Sequence, residues 1–140
     1  MAYGFVYILG NASMPGIYKI GQTGRHPKER MEDLSRATAC PTPFTLLAYF
    51  GCRDHELVER EIHDDLAGYR VSAAREFFRV SALTLLECIR SYCNTYEDAL
   101  FVDGLDTEVF VEEHLLAQEW KRQYFFEQSA DLVYWGVPNA

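Results

Sequence analysis

Long apolar runs, paired cysteine spacings and internal repeats are all missing from this sequence of 140 residues. No apolar stretch approaches the roughly 20 residues that a membrane-spanning helix needs. No basic segment leads into the apolar stretch and small-residue cleavage site of a secretory signal. Four cysteines are present, but they form neither a CxxC pair nor Cys/His pairs spaced as in zinc fingers. We therefore expect a cytoplasmic protein with buried, reduced thiols, no membrane association and no structural zinc.

A positive net charge is lacking as well, because 21 acidic side chains outnumber 13 basic ones and give a formal charge of -8. Taken alone, this balance argues against a nucleic-acid partner. The acidity is local, however: residues 1–95 hold 11 acids and 11 bases, whereas residues 96–140 hold 10 acids and two bases. Residues 1–53 are mildly basic, with three acids against six bases. The composition therefore does not exclude a DNA function.

The residues that are present supply the material for one compact domain, since 49% are hydrophobic and 14% aromatic. Apolar and β-branched runs predict three strands, at 4–9, 17–20 and 44–50. Helix starts are indicated at Pro27, Asp54 and Ser81. Residues 75–80 are expected to form a short strand or extended segment.

We predict an α/β (α+β) fold over residues 1–95, with a small three-stranded antiparallel sheet flanked by helices. Residues 96–140 are predicted to form an acidic helical extension, with a linker over 98–107 and a helix from Thr107 to about Gln128. The expected apolar contacts of this helix are Phe110, Leu115, Leu116, Trp120 and Phe126. The acidic segment either completes the core, binds a basic protein partner, or covers a basic cleft as a phosphate mimic.

Five sequence words follow one another between Gly4 and Val80: GFVYILGNASMPGIYKIGQT, HPKERMEDLS, PTPFTL, LVEREIH and REFFRV. In this order they resemble the GIY-YIG nuclease superfamily, and most closely its small phage and bacterial branch, which has a KIG word in place of YIG. The resemblance implies a DNA endonuclease module that hydrolyses phosphodiester bonds with Mg²⁺ or Mn²⁺.

The resemblance also implies a role for four residues. Tyr7 would activate or position the attacking water, Arg30 would bind a phosphate, and Glu59 would bind the metal. Lys19 stands where most of the superfamily has a tyrosine. Lys19 either offers a cation to phosphate or lowers the pKa of a neighbouring phenol. If it does neither, catalysis is weakened. The alternative function is therefore a weak or inactive module that binds nucleic acid or a protein.

The residue types themselves suit phosphodiester hydrolysis, which needs a metal held by a carboxylate, a group that orients water, and cations for the phosphoryl oxygens. Arg25 and Lys28 flank Arg30 and are candidate DNA contacts, although an ordinary solvated face is the alternative. His63 lies one helical turn from Glu59 and is a further candidate phosphate contact or proton carrier.

Two other residues are assigned structural roles. His55, Glu59 and His63 are spaced four apart, but the two histidines are two turns, about 12 Å, from each other, so one metal would not easily join both. His55 is therefore expected to be a buried histidine. Glu76 precedes two phenylalanines and is expected to pair with Arg70 or Arg79. Its functional alternative is to support Arg30 or the metal.

Overall fold

The chain begins with a β-hairpin, and further strands then alternate with helices. The computed structural model describes residues 3–36, 42–71, 76–96, 100–102 and 104–134. In chain order the elements are β1 (Tyr3–Asn11), β2 (Ile17–Thr23), α1 (Pro27–Ser35), β3 (Phe44–Arg53), α2 (His55–Asp65), a 3-10 turn (Ala67–Tyr69), β4 (Phe77–Arg79), α3 (Ala82–Tyr96), β5 (Leu100–Val102) and α4 (Gly104–Tyr134).

The strands form one five-stranded antiparallel sheet in the order β4-β2-β1-β3-β5. This corrects the predicted three-stranded sheet, although the α+β class stands. β4 joins the sheet by pairing Phe78 with Tyr18 of β2, and β5 joins it by pairing Phe101 with Tyr49 of β3. Each added strand has three residues, which are too few to display the alternating pattern that identifies a strand in sequence.

The two faces of the sheet carry different layers because successive strand side chains point to opposite sides. Val6 and Ile8 of β1 face the main core, where they are fully buried with Ile62 of α2 and Leu85 of α3. Tyr7, between them, faces the other side, where α1 packs on β1, β2 and β3. The helix α1 and the helices α2 and α3 thus lie on opposite faces.

The helix starts agree with the sequence signals. α1 begins at Pro27, and Ser81 caps α3 by accepting a hydrogen bond from Thr84 N to its Oγ at 3.1 Å. Asp54 precedes α2 with a left-handed φ of 52°, and its side chain makes no capping hydrogen bond. α2 ends at Asp65, and the chain continues into the 3-10 turn.

α4 begins at Gly104, before the predicted Thr107, and runs beyond Gln128 to Tyr134. Its first turns complete the main core, because Leu105 is fully buried there and Val109 packs against the same cluster. Farther along, four of the side chains predicted to make apolar contacts are exposed: Phe110, Leu115, Leu116 and Trp120. The predicted contact of Phe126 lies outside the described side chains.

Cys52, Cys88 and Cys93 are free thiols, of which Cys52 and Cys93 are buried, and Cys40 lies outside the described residues. Among the helices of the described ranges, none has the length and apolarity required to cross a bilayer.

Candidate active site

The ring of a buried tyrosine lies across a glycine of the neighbouring strand. Tyr7 on β1 is directly opposite Gly21 on β2. A Cβ atom at Gly21 would overlap the hydroxyl and Cζ of Tyr7, so glycine is required here for close approach. β4 pairs with β2 only as far as Lys19, and Gly21 lies beyond that pairing. The phenol of Tyr7 therefore lies beside Gly21, beyond the residues of β2 that pair with β4.

Arg30, in the first turn and a half of α1, reaches this phenol. It donates a hydrogen bond to the Tyr7 hydroxyl. Burial raises the pKa of Tyr7 above its ordinary value, the Arg30 guanidinium partly offsets that rise, and the negative charges of Glu76 and Glu59 add to it. The phenol is therefore protonated at neutral pH and acts as a hydrogen-bonding group.

Glu59 lies on α2, which packs on the other face of the sheet. Its side chain is 13% exposed, and its pKa is raised to about 7 by burial and by the negative charge of Glu76, against the opposing charges of Lys19 and Arg60. Near neutral pH this carboxyl is therefore divided between its protonated and ionised forms.

His63 fixes α2 beside this carboxyl. Its Nε2 lies 2.8 Å from the carbonyl oxygen of Ile20 on β2, so Nε2 carries the hydrogen and donates it. The same nitrogen is 3.6 Å from Oε1 of Glu59, which is too long for a hydrogen bond. The His63 ring also packs on Phe78, with 5.0 Å between ring centroids. His63 therefore anchors the helix that carries Glu59.

Lys19 and Glu76 form an ion pair at the end of β4. The Lys19 Nζ lies 2.8 Å from Oε2 of Glu76 and 5.3 Å from the centroid of the Phe77 ring. The cationic partner of Glu76 is thus Lys19, and not Arg70 or Arg79 as predicted. The reason is the pairing of Lys19 with Phe77 across β2 and β4, which places Glu76 next to Lys19.

The structure brings the four predicted catalytic residues together, although they come from both faces of the sheet. Tyr7 is hydrogen-bonded to Arg30, and the charges of Glu59 and Glu76 raise its pKa. The pKa of Glu59 is in turn raised by the charge of Glu76 and lowered by that of Lys19. The cation that lowers the pKa of Tyr7 is Arg30, and not Lys19. We call these five residues the Tyr7–Glu59 cluster: Tyr7, Lys19, Arg30, Glu59 and Glu76.

The three flanking candidates lie in different settings. Arg25 is exposed and donates to Asp33 at 2.6 Å, so its charge is partly neutralised within its own loop and helix. Lys28 is exposed on α1, and its backbone N donates to Nδ1 of His26, the residue that caps the helix. His63 is buried on α2, and its Nε2 donates to the carbonyl of Ile20.

Sequence reasoning missed two features of the site. Gly21 belongs to the KIG word, but the reason for a glycine there is the Tyr7 ring, which belongs to another strand. Glu76 was expected chiefly to pair with an arginine, and its ion pair with Lys19 depends on the pairing of β4 with β2. The segment 75–80 was expected to be extended, but its partner strand was not predicted.

The donor set of this site fits Mg²⁺ or Mn²⁺. Within the described ranges no three His, Cys, Asp or Glu side chains converge on one point. A full protein cage is not expected for Mg²⁺, which keeps several waters and uses one or two carboxylates together with substrate phosphates. Glu59 and Glu76 supply hard oxygen donors. Burial makes the largest contribution to the raised pKa of Glu59, and repulsion by Glu76, which a cation would relieve, adds to it.

The fold and the cluster together define the class of protein. It is an antiparallel α+β domain whose site combines carboxylates, a guanidinium and a phenol. The chain belongs to the T5orf172 domain family, whose model matches residues 4–93. T5orf172 domains are phage-associated, nuclease-associated domains of a DNA-binding kind. This match corrects the family predicted from the motif words, because the matching model is that of the T5orf172 domain and not of the GIY-YIG superfamily.

No curated protein and no solved structure matches the chain. The basic protein partner predicted for the acidic segment is without support from the family match. The described acids at the start of α4 instead contact this chain: Asp106 lies 3.8 Å from Arg90, and Glu108 accepts a hydrogen bond from the Tyr18 hydroxyl at 3.5 Å.

Proposed function

We propose that residues 4–93 form a metal-dependent DNA endonuclease module that hydrolyses phosphodiester bonds at the Tyr7–Glu59 cluster. The observation that carries the proposal is the convergence of a guanidinium, a buried phenol and two carboxylates where the pairing of β2 with β4 ends. The pKa of Glu59 is raised to about 7, chiefly by burial, and groups with shifted pKa values concentrate at functional sites. Membership of a nuclease-associated, DNA-binding family points the same way.

Glu59 is the residue that would hold the metal, with Glu76 as a second oxygen donor. Bound there, Mg²⁺ or Mn²⁺ supplies Lewis-acid stabilisation of charge on the phosphoryl oxygens. Lys19 holds Glu76 in place through their 2.8 Å ion pair. Lys19 is therefore a positioning residue in this proposal, and the cation at the phosphate is Arg30.

Arg30 and Tyr7 act on the phosphate and the water. A guanidinium has five N–H donors, so one hydrogen bond to Tyr7 leaves a fork for two phosphate oxygens. The Tyr7 phenol, which is protonated at neutral pH, orients the attacking water by hydrogen bonding and does not remove its proton. The proton of that water passes to solvent hydroxide, because Glu59 is the residue that would hold the metal.

The test is nicking of supercoiled plasmid and of single-stranded DNA in Mg²⁺ or Mn²⁺. We expect Glu59→Gln to lose at least about 100-fold in rate, because the amide neither ionises nor binds the metal well. Glu56→Gln is the matched control, since Glu56 is exposed on the same helix. Equal rates for wild type and Glu59→Gln, or no cleavage by wild type with either metal, would remove the endonuclease proposal.

A second candidate function is a DNA-binding module without cleavage. It is favoured by the ion pair of Lys19 with Glu76, which occupies a cation and a carboxylate that catalysis would otherwise use. Its signature is DNA binding that weakens with salt, survives Glu59→Gln and is accompanied by no strand breaks under either metal. Arg30→Ala should weaken such binding, whereas Glu59→Gln should leave it unchanged or strengthen it by removing a negative charge.

A further inference from the structure

A row of aromatic rings crosses the sheet from the Tyr7–Glu59 cluster to the opposite edge. Tyr7 of β1 pairs with Tyr49 of β3, and Tyr49 pairs with Phe101 of β5. Residues that pair directly across antiparallel strands point to the same face, so the three rings share one face. The rings of Tyr49 and Phe101 are stacked, with 4.9 Å between centroids and 18° between planes.

The row widens along β1 into a continuous aromatic surface. Tyr3 and Phe5 alternate with Tyr7 on the same face, and the Phe5 ring lies 6.1 Å from that of Tyr49. The His26 ring contacts both, at 5.9 Å from Phe5 and 5.3 Å from Tyr49. Tyr3 packs edge-on against Phe5 and lies over Gly51, where a Cβ atom would overlap its hydroxyl. We call Tyr3, Phe5, His26, Tyr49 and Phe101 the aromatic platform.

The platform is open to solvent at its ends. Phe101 is 56% exposed and Tyr3 is 59% exposed, while the main core lies on the opposite face of the sheet. Large exposed aromatic groups in contact with one another are characteristic of binding surfaces. Arg53 is exposed directly opposite Tyr3, on the same face, and Lys28 is exposed on α1, which packs on that face. Positive charge therefore borders the rings.

We propose that the aromatic platform stacks the unpaired bases of a DNA strand whose phosphate lies at Arg30. The inference rests on the proposed function in taking DNA as the ligand, and it adds that the strand is single-stranded or locally unpaired. Bases in a duplex hide their faces in the stack, so only unpaired bases offer a surface for stacking on aromatic side chains. Arg53 and Lys28 supply the cations that a strand backbone requires.

The dimensions agree with a short stretch of strand. Neighbouring strands of a sheet lie about 4.8 Å apart, so two strand spacings separate Tyr7 from Phe101 by roughly 10 Å. A DNA strand advances about 3.4 Å per stacked nucleotide, so the row accommodates two or three nucleotides beyond the phosphate at Arg30. The ring contacts that join Tyr3, Phe5, His26, Tyr49 and Phe101 on one face of the sheet distinguish this surface from the exposed apolar side chains of α4.

The test measures binding in EDTA, where no metal-dependent cleavage occurs, with fluorescently labelled oligo(dT), a strand of the same length with abasic sites, and a duplex. Phe101→Ala and Tyr3→Ala should each weaken oligo(dT) binding by roughly 5- to 100-fold, as removal of one base–aromatic stack does. Both variants should bind the abasic strand and the duplex as wild type does. Phe110→Ala is the matched control, because that ring is 70% exposed on α4 and outside the platform.

Two outcomes would overturn the inference. In the first, Phe101→Ala and Tyr3→Ala bind oligo(dT) as tightly as wild type, with or without a change of self-association in analytical ultracentrifugation. In the second, both variants lose the same factor on the abasic strand as on oligo(dT). Circular dichroism of each variant checks that the sheet is intact, and Tyr3→Ala tests the platform independently of the short strand β5. The nicking assay is separate, so a protein that stacks bases without cleaving DNA contradicts the proposed function alone.

Discussion

At Gly21 the side chain is a hydrogen atom, and the ring of Tyr7 fills the space above it. Because Tyr7 is fully buried, its ring has no free volume to move into. We predict that Gly21→Ala lowers the free energy of unfolding by about 1–3 kcal/mol, as overpacking of a filled site does. It should also displace the phenol from Arg30 and reduce nicking activity. Urea unfolding followed by circular dichroism measures the first effect.

Gly24 provides the control for this substitution. A Cβ atom there would meet no heavy atom within 4 Å, so Gly24→Ala should leave stability unchanged or raise it slightly. Equal unfolding midpoints for Gly21→Ala and Gly24→Ala would mean that the Tyr7 ring is free to move away from β2.

The pKa of Glu59 predicts how stability depends on pH. The pKa is about 7 in the folded protein and 4.5 in its ordinary state, so the unfolded chain ionises more readily than the folded one. This carboxyl therefore costs nothing below pH 4.5, becomes increasingly destabilising as pH rises through this interval, and exerts its full cost above pH 7. Glu59→Gln should consequently be more stable than wild type at pH 8, by the order of 2–3 kcal/mol, and close to it at pH 4.

Denaturant titrations at several pH values in EDTA check this prediction, with Glu56→Gln as the exposed control on the same helix. A difference between Glu59→Gln and wild type that is the same at pH 4 and pH 8 would place the effect in packing and not in ionisation. A loss of stability in Glu59→Gln at pH 8 would show that the ionised carboxylate is stabilised in the folded state.

Among the elements, a side chain of α4 caps the start of α3. Both carboxylate oxygens of Glu112 lie 2.9 Å from the backbone N of Ala82, the first residue of α3. The negative charge at this end also complements the helix dipole. We predict that Glu112→Ala lowers the free energy of unfolding by about 1 kcal/mol, whereas Glu113→Ala, exposed on the same helix, leaves it unchanged. Thermal unfolding of the two variants side by side decides this, and equal melting temperatures would contradict it.

The elements that sequence predicted well are those with strong local signals. β1 ends at Asn11 and β2 begins directly after Gly16, α1 starts at Pro27, and α3 starts after its Ser81 cap. The short strand expected at 75–80 is β4, but its pairing with β2 could not be predicted, because that pairing depends on partners far along the chain. β5 was not predicted, because three residues carry no period. The exposed faces of α4 were also mispredicted, since apolar spacing in a sequence does not tell whether a neighbouring element is there to cover it.

The sequence predicted those residues of the site that belong to local motifs, but not their arrangement in space. Tyr7, Lys19, Arg30 and Glu59 could be named from words along the chain, but their common location required the complete sheet. The roles of Gly21 and Glu76 could not be derived, because each depends on a contact between strands. The same pairing of β3 with β5 that sequence missed also creates the row from Tyr7 to Phe101.

For the molecule as a whole, the net charge of -8 belongs to residues 96–140, and the start of that segment is structurally part of the domain. β5 extends the sheet, Leu105 is fully buried in the main core, and Glu112 caps α3. The sheet and the core therefore include residues beyond residue 95, which is where the sequence analysis placed the end of the domain. The acids Asp106, Glu108 and Glu112 lie against α3 and Tyr18, away from the Tyr7–Glu59 cluster.

Truncation distinguishes an integral segment from a dispensable extension. A chain that ends at residue 95 loses β5, the buried Leu105 and the Glu112 cap. Loss of a buried leucine alone costs about 2–5 kcal/mol, against a typical total of about 5–15 kcal/mol. We therefore predict that this chain is unfolded or has a much lower urea midpoint, whereas a chain that ends at residue 118 keeps the wild-type midpoint. If the chain ending at 95 unfolds at the same urea concentration as wild type, residues 96–140 form a separate extension and the core contacts of α4 contribute nothing to stability.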